Sequence, residues 1–236
     1  MTSLVTTWIG VALAVRLGER PWAISGGIGF SVGIMLLVSL FELMPQALLA
    51  LAPALALGSF LLGAGMLWIA NLIVPHTHLI REHGLVDPVQ LKSAYLVLFG
   101  LILHDLPEGF AMAHAYIASP SLGILVATAI ALHNVPEEFA MAVPAVALRS
   151  KRLIYGAAVL SALAEPVGAL IGLTASAAAP SLNAHLMAVA AGAMVFVSIH
   201  ELVPMARRYR QPAPLLVGMA VSLLVYRLLA AAVIKA

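Results

Sequence analysis

Apolar positions in this chain come in long unbroken runs rather than in narrow stripes, and the breaks between runs carry Pro, Gly and charge. A bilayer core of about 30 Å needs roughly 20 apolar residues in helical form. On that scale the chain divides into eight spans, at 3–17, 23–50, 53–74, 90–118, 121–148, 153–177, 182–207 and 212–234. The first is short and its ends are the least sharply marked. A membrane barrel would need period-two alternation, which these runs lack, so helices are predicted.

Composition strengthens this. Of 236 residues, 63% are hydrophobic and only 9% charged, with a mean hydropathy of +1.07. A soluble domain cannot cover its surface with so few polar groups, so the expected class is an all-α integral membrane protein. It is read as a single transmembrane domain over 1–236, with a short histidine-bearing loop at about 75–91. A pI near 9.2 then reports on the loops and does not point to nucleic acid. Cysteine is absent, which excludes disulfides and thiolate ligands, so a bound metal would need His, carboxylate or amide donors. Met1 to Val15 lacks a basic leader and is read as part of the first span, not as a cleaved signal.

Basic residues set the orientation. Arg16, Arg20, Arg81, Lys92, Arg149, Lys151, Arg152, Arg207, Arg208 and Arg210 fall in loops on one side, 10 of the 12 Lys and Arg. By the positive-inside rule that side is cytoplasmic, which puts both termini outside the cytoplasm. The expected location is a bacterial inner (plasma) membrane.

The acids are distributed differently. Glu42, Asp105, Glu108, Glu137, Glu138, Glu165 and Glu201 all lie within predicted spans. Each costs about 2.5–3.5 kcal/mol to insert at a helix centre, so seven of them call for a function. With almost no intramembrane base to pair them, their counter-ion is a cation. A cation site or pathway is the first functional inference.

Two internal repeats sharpen it. His104-Asp105-Leu106-Pro107-Glu108 in span 4 returns 29 residues later as His133-Asn134-Val135-Pro136-Glu137 in span 5. Val38-Ser39-Leu40-Phe41-Glu42-Leu43-Met44-Pro45 in span 2 returns in span 7 as Val197-Ser198-Ile199-His200-Glu201-Leu202-Val203-Pro204. Each pair lies on spans of opposite direction, as in the inverted repeats of secondary transporters, so the expected plan is spans 1–3 against 6–8 around 4–5. At about 100° per residue, Glu108 lies angularly between His104 and Asp105, and Glu137 between His133 and Asn134. If the two helices face each other, one metal can lie between the histidines and another between Asp105 and Asn134, with both glutamates reaching either. Glu165-Pro166 repeats the carboxylate-plus-proline device at similar depth and supplies a further ligand. Imidazole with carboxylate suits Zn²⁺ and neighbouring divalent metals.

At these residues the chain resembles the ZIP (Zrt-, Irt-like protein) family of divalent metal transporters, closest to its bacterial GufA-type branch. The likeness covers essentially the whole chain: eight spans, the two H-[ND]-x-P-E motifs, Ala164-Glu165-Pro166, the E-L-x-P repeats and the histidines after span 3. It implies a binuclear site and uptake into the cytoplasm. The first metal would take His104, Glu108, His133 and Glu137; the second would take Asp105, Asn134, Glu108, Glu137 and Glu165. Two positions depart from the branch. Asp105 stands where asparagine is usual, and Glu138 where glycine is usual. Glu138 either enlarges the second site or crowds the helix contact.

Other polar residues have a bland reading beside the functional one. Glu42, Glu201 and His200 are helix-packing groups or stations at which the ion enters and leaves. His76, His78 and His83 capture departing metal or belong to an ordinary solvated loop. His114 lies off the ligand face and is read as packing or an outer relay; His185 is read as interfacial. Gly29–Gly33 and Gly168–Gly172 have the spacing that lets helices approach closely.

The expected function is transport of divalent metal, Zn²⁺ first with Cd²⁺, Fe²⁺ and Mn²⁺ as further cargo. No prosthetic group and no nucleic acid is expected, and the partners are the metal, the lipid bilayer and, as a candidate, a second copy of the chain. A rival reading is a membrane-embedded metallohydrolase with the same ligands activating water, for which Glu138 is the one candidate base. A metal sensor or store is a third, without any accessory domain to support it.

Overall fold

The computed structural model describes residues 2–18, 20–73, 105–147 and 151–234. His76, His78, His83, His104 and the first half of predicted span 4 lie outside these residues. The described residues are helical throughout, apart from short turns. We number the helices α1 Thr2–Leu17, α2 Pro21–Ala50, α3 Pro53–Ile73, α4 105–118, α5 Pro120–Ala147, α6 Lys151–Ala178, α7 Pro180–Arg208 and α8 Pro212–Ile234.

Five of them, α2, α3, α6, α7 and α8, contain stretches long and apolar enough to cross a membrane. Helix α5 has the length, at 28 residues, but His133, Asn134 and the following glutamates interrupt its apolar run. Leu49, Leu61, Leu170, Leu216 and Leu224 are more than half exposed, as side chains facing lipid would be. The protein is an integral membrane protein of α class.

Helices start where Pro supplies the first position, as at Pro21 in α2 and Pro212 in α8. The two E-L-x-P segments share a local distortion. Ser39–Leu43 in α2 and Ser198–Leu202 in α7 are π-turns. In each the ladder widens by one residue, so that Met44 N–H donates to the Ser39 carbonyl and Val203 N–H to that of Ser198. Pro45 and Pro204 follow immediately; each lacks an N–H and pushes away the carbonyl four residues back, which disfavours the ordinary spacing there.

Helix α2 packs extensively on α8, α3 on α7 and α1 on α5. Helix α6 packs on α1 and α5, and α5 also meets α2. Helices α4 and α6 approach backbone to backbone. A Cβ on Gly109 would strike the Glu165 carbonyl, and one on Gly168 the Leu106 carbonyl. Gly29 meets the Leu215 backbone of α8 in the same way, as the glycine spacing predicts. An apolar cavity of about 240 Å³ separates α3 and α7 from α4 and α6, between Met66, Leu106, Phe110, Ile171 and Val189.

Candidate metal centre

The polar residues of the second motif project from α5 into the interior. His133 is fully buried. Its Nδ1 lies 3.0 Å from the Ala129 carbonyl oxygen, one turn back on the same helix. A carbonyl can only accept, so Nδ1 carries the hydrogen and in the neutral ring Nε2 keeps its lone pair. That lone pair faces Glu108 Oε1 at 3.0 Å and Glu137 Oε2 at 3.5 Å. Two carboxylate oxygens around an imidazole lone pair repel unless a proton or a cation lies between them.

Glu108, His133 and Glu137 present ligand atoms within 4.8 Å of one another, all three buried. The fixed tautomer gives Nε2 the form a metal takes, with the other ring nitrogen anchored as metal-bound histidines usually are. From α2, Ser31 Oγ–H donates to the His133 carbonyl at 3.0 Å and ties the His133 backbone to a neighbouring helix.

A second group lies against α6. Asn134 Nδ2–H donates to Glu165 Oε2 at 3.0 Å. One turn along the same antiparallel contact, Ser161 Oγ meets Glu138 Oε1 and, at 2.7 Å, Asp105 Oδ2 of α4. Thr7 Oγ1–H of α1 donates to Glu138 Oε1 at 3.0 Å. All of these side chains are buried. The close passage of α4 along α6 at Gly109 and Gly168 brings Asp105 within reach of Ser161.

Among the residues singled out in the sequence, Glu108, His133 and Glu137 thus come together, while Asp105, Asn134, Glu138 and Glu165 line the adjoining contact with α6. Ser161, Thr7 and Ser31 were not anticipated. Hydroxyls are common in apolar helices and gave no pattern to read. The other candidates lie elsewhere. Glu42 accepts a hydrogen bond of 2.5 Å from Tyr226 Oη of α8. His200 is exposed and stacks on Phe196 with ring centroids 4.8 Å apart, and Glu201 is half-buried. His114 is buried, with Nδ1 2.6 Å from Asn183 Oδ1 and 2.9 Å from Ser176 Oγ. His185, half-buried, pairs with Ser59 of α3 at 2.9 Å.

Residues 74–226 match the family model described as ZIP Zinc transporter. The chain belongs to the ZIP family. Similar proteins agree along most of its length. A zinc transporter ZupT of Escherichia coli O7:K1 (strain IAI39 / ExPEC) is 38% identical over 212 residues, which cover 85% of this chain and 82% of that protein. A zinc transporter ZupT of Corynebacterium aurimucosum is 37% identical over 224 residues, 87% of this chain and 84% of its own. One from Salmonella newport is 36% identical over 212 residues, 85% and 82% respectively. The ZIP match includes both helices that carry the paired motifs, and so the whole of the buried His and carboxylate cluster.

Proposed function

We propose that this protein carries divalent metal ions, Zn²⁺ foremost, across the membrane into the cytoplasm, and that it does so as one transmembrane domain. The observation that carries the reading is His133 Nε2 between Glu108 and Glu137. A buried group of two acids and one imidazole lone pair is built for a cation, and the ZIP relatives are named as zinc transporters. Cd²⁺, Fe²⁺ and Mn²⁺ accept the same donors and are proposed as further cargo. The first metal takes Glu108, His133 and Glu137 together with His104, and the second takes Asp105, Asn134 and Glu165 with the shared glutamates.

We further propose the inverted repeat as the architecture. In its support, the two E-L-x-P segments make the same π-turn, and α2 packs on α8 as α3 packs on α7. The basic loops put both termini outside the cytoplasm and the membrane is the bacterial inner one. Metal enters from the outer ends of α2, α4 and α5 and loses water to the buried cluster. It leaves toward the loop at 75–91, where His76 and His78 receive it, as one group of helices moves against the other. Glu42, His200 and Glu201 lie off the cluster and serve as stations near the two mouths. Reading the same ligands as a hydrolase loses ground, because the ZIP relatives are named as transporters and Glu138, the candidate base, is hydrogen-bonded to Thr7 and Ser161.

Flux of Zn²⁺, Cd²⁺, Mn²⁺ and Fe²⁺ into proteoliposomes holding the pure protein tests this. Wild type should accumulate metal and the double variant H104A/E137A should not. Absence of uptake by wild type for all four metals would overturn the carrier reading.

A further inference from the structure

Helices α3 and α7 mesh backbone to backbone, as α4 and α6 do. A Cβ on Gly63 would lie 1.9 Å from the Val189 carbonyl oxygen, and one on Gly192 at the same 1.9 Å from that of Phe60. Each pair is closed within itself, but the two pairs do not close on each other. Between them lies the apolar cavity of about 240 Å³, with Pro107, Gly168, Ala190 and Ala193 buried in its wall. Gly and Ala bring too little side chain to fill it. Met66 and Ile171 form the rim and are 55% and 50% exposed.

The lining decides what can enter. No polar side chain contributes to it, so a water would find no hydrogen-bond partner and a metal ion no donor. This space is no branch of a metal path. An apolar cavity of about 150 Å³ already stays dry and admits benzene, so this one has room for a length of hydrocarbon. One to two turns farther along α4, α6 and α7, a polar cluster ties the same three helices together. There His114 Nδ1 is 2.6 Å from Asn183 Oδ1 and 2.9 Å from Ser176 Oγ. The cavity therefore does not run on to that end of the bundle and opens sideways. Beside the rim, Leu62 and Leu170 are 58% and 61% exposed, continuous with the surface that faces lipid. Met66, Gly168 and Ala190 fall near the middles of α3, α6 and α7, at the depth of acyl tails and not of headgroups.

We propose that this cavity binds one acyl chain of a membrane phospholipid, which enters between Met66 and Ile171 and stands in for a side-chain interlock between α4 with α6 and α3 with α7. Lipid tails are as apolar outside the cavity as within it, so the chain is held by packing contact and not by escape from water. An empty cavity would leave its lining atoms without those contacts. Pro107 in the wall directly precedes Glu108, so the acyl chain lies against the turn of α4 that supplies a donor to the His133 cluster. The inference needs only a chain embedded in a bilayer and does not rest on the metal reading.

The test is photolabelling of the purified full chain in phosphatidylcholine liposomes that contain a phosphatidylcholine with a diazirine midway along one acyl chain, the labelled residues being located by mass spectrometry. Label is expected on buried Pro107 and Ala193 as well as on lipid-facing Leu170. Ala190→Leu fills the cavity, and Met66→Trp blocks its mouth from an exposed position that the fold tolerates. Each should remove most of the label at Pro107 and Ala193 and leave that at Leu170 unchanged. Label confined to Leu170 and its exposed neighbours in the wild type would overturn the proposal, whether the cavity is closed or covered by a second copy of the chain. So would label at Pro107 and Ala193 that both variants leave at the wild-type level.

Discussion

His133 Nε2 and Glu108 Oε1 lie 3.0 Å apart across the contact between α5 and α4, with the other ring nitrogen already committed to the Ala129 carbonyl. The pair joins one residue from each copy of the repeated motif. Removing either partner takes one of the three proposed donor groups out of the cluster. Glu108→Ala and His133→Ala should each lower Zn²⁺ affinity by at least about tenfold, read by calorimetry on the detergent-purified protein. Wild-type affinity in both would show that the cluster does not hold metal.

Acid should act in the same direction. Metal needs a neutral imidazole and ionised carboxylates, so each ligand that takes up a proton is lost to the ion and binding releases protons. Zn²⁺ affinity is expected to fall steadily as pH is lowered from neutral into the acid range. Repeating the titration in two buffers of different ionisation enthalpy should detect the released protons. A pH-independent affinity with no proton release would contradict carboxylate and imidazole ligation.

Tyr226 and Glu42 form a contact of another kind, a single hydrogen bond of 2.5 Å joining α8 to the π-turn of α2. A hydrogen bond to a charged acceptor contributes about 1.5–3 kcal/mol, less where solvent reaches it. Tyr226→Phe should lower the thermal midpoint in detergent and leave the number of bound metals unchanged. A drop in metal stoichiometry would place Glu42 within the binding site after all.

Ser31→Ala tests how far α2 supports the helix that carries His133. It removes a hydrogen bond to the His133 carbonyl, which should cost about 1 kcal/mol of stability, and lets the α5 backbone shift. We expect weaker Zn²⁺ binding with the same stoichiometry, visible as a raised dissociation constant in the same calorimetric assay. Binding as tight as wild type would assign Ser31 to helix packing alone.

Much of this was legible in the sequence because lipid makes polar residues conspicuous. The proximity of Glu108, His133 and Glu137 follows from a histidine and a glutamate four residues apart on α5 and from the matching glutamate of the earlier motif on α4. The starts of α3 and α8 follow from the prolines that open them. What escaped was carried by groups that look ordinary in an apolar helix. Ser31, Ser161 and Thr7 repeat at no fixed spacing, and the anchor for His133 is a backbone carbonyl, to which side-chain identity is blind. Glu138 was left between two roles. It reaches α1 and α6, and Gly10 of α1, whose Cβ would lie 2.5 Å from that of Glu138, leaves room for it. The π-turns were hidden for a different reason: proline announces a disturbed ladder without saying how the backbone will relieve it.

The meshing of Gly109 with the Glu165 carbonyl, and of Gly168 with that of Leu106, has a mechanical meaning. Where two backbones touch with no side chain between them, neither helix can slide or roll without collision. Over this length α4 and α6 behave like toothed racks locked together. Asp105, Glu108, Ser161 and Glu165 are mounted on those racks, so a movement that keeps this contact keeps the four at one spacing.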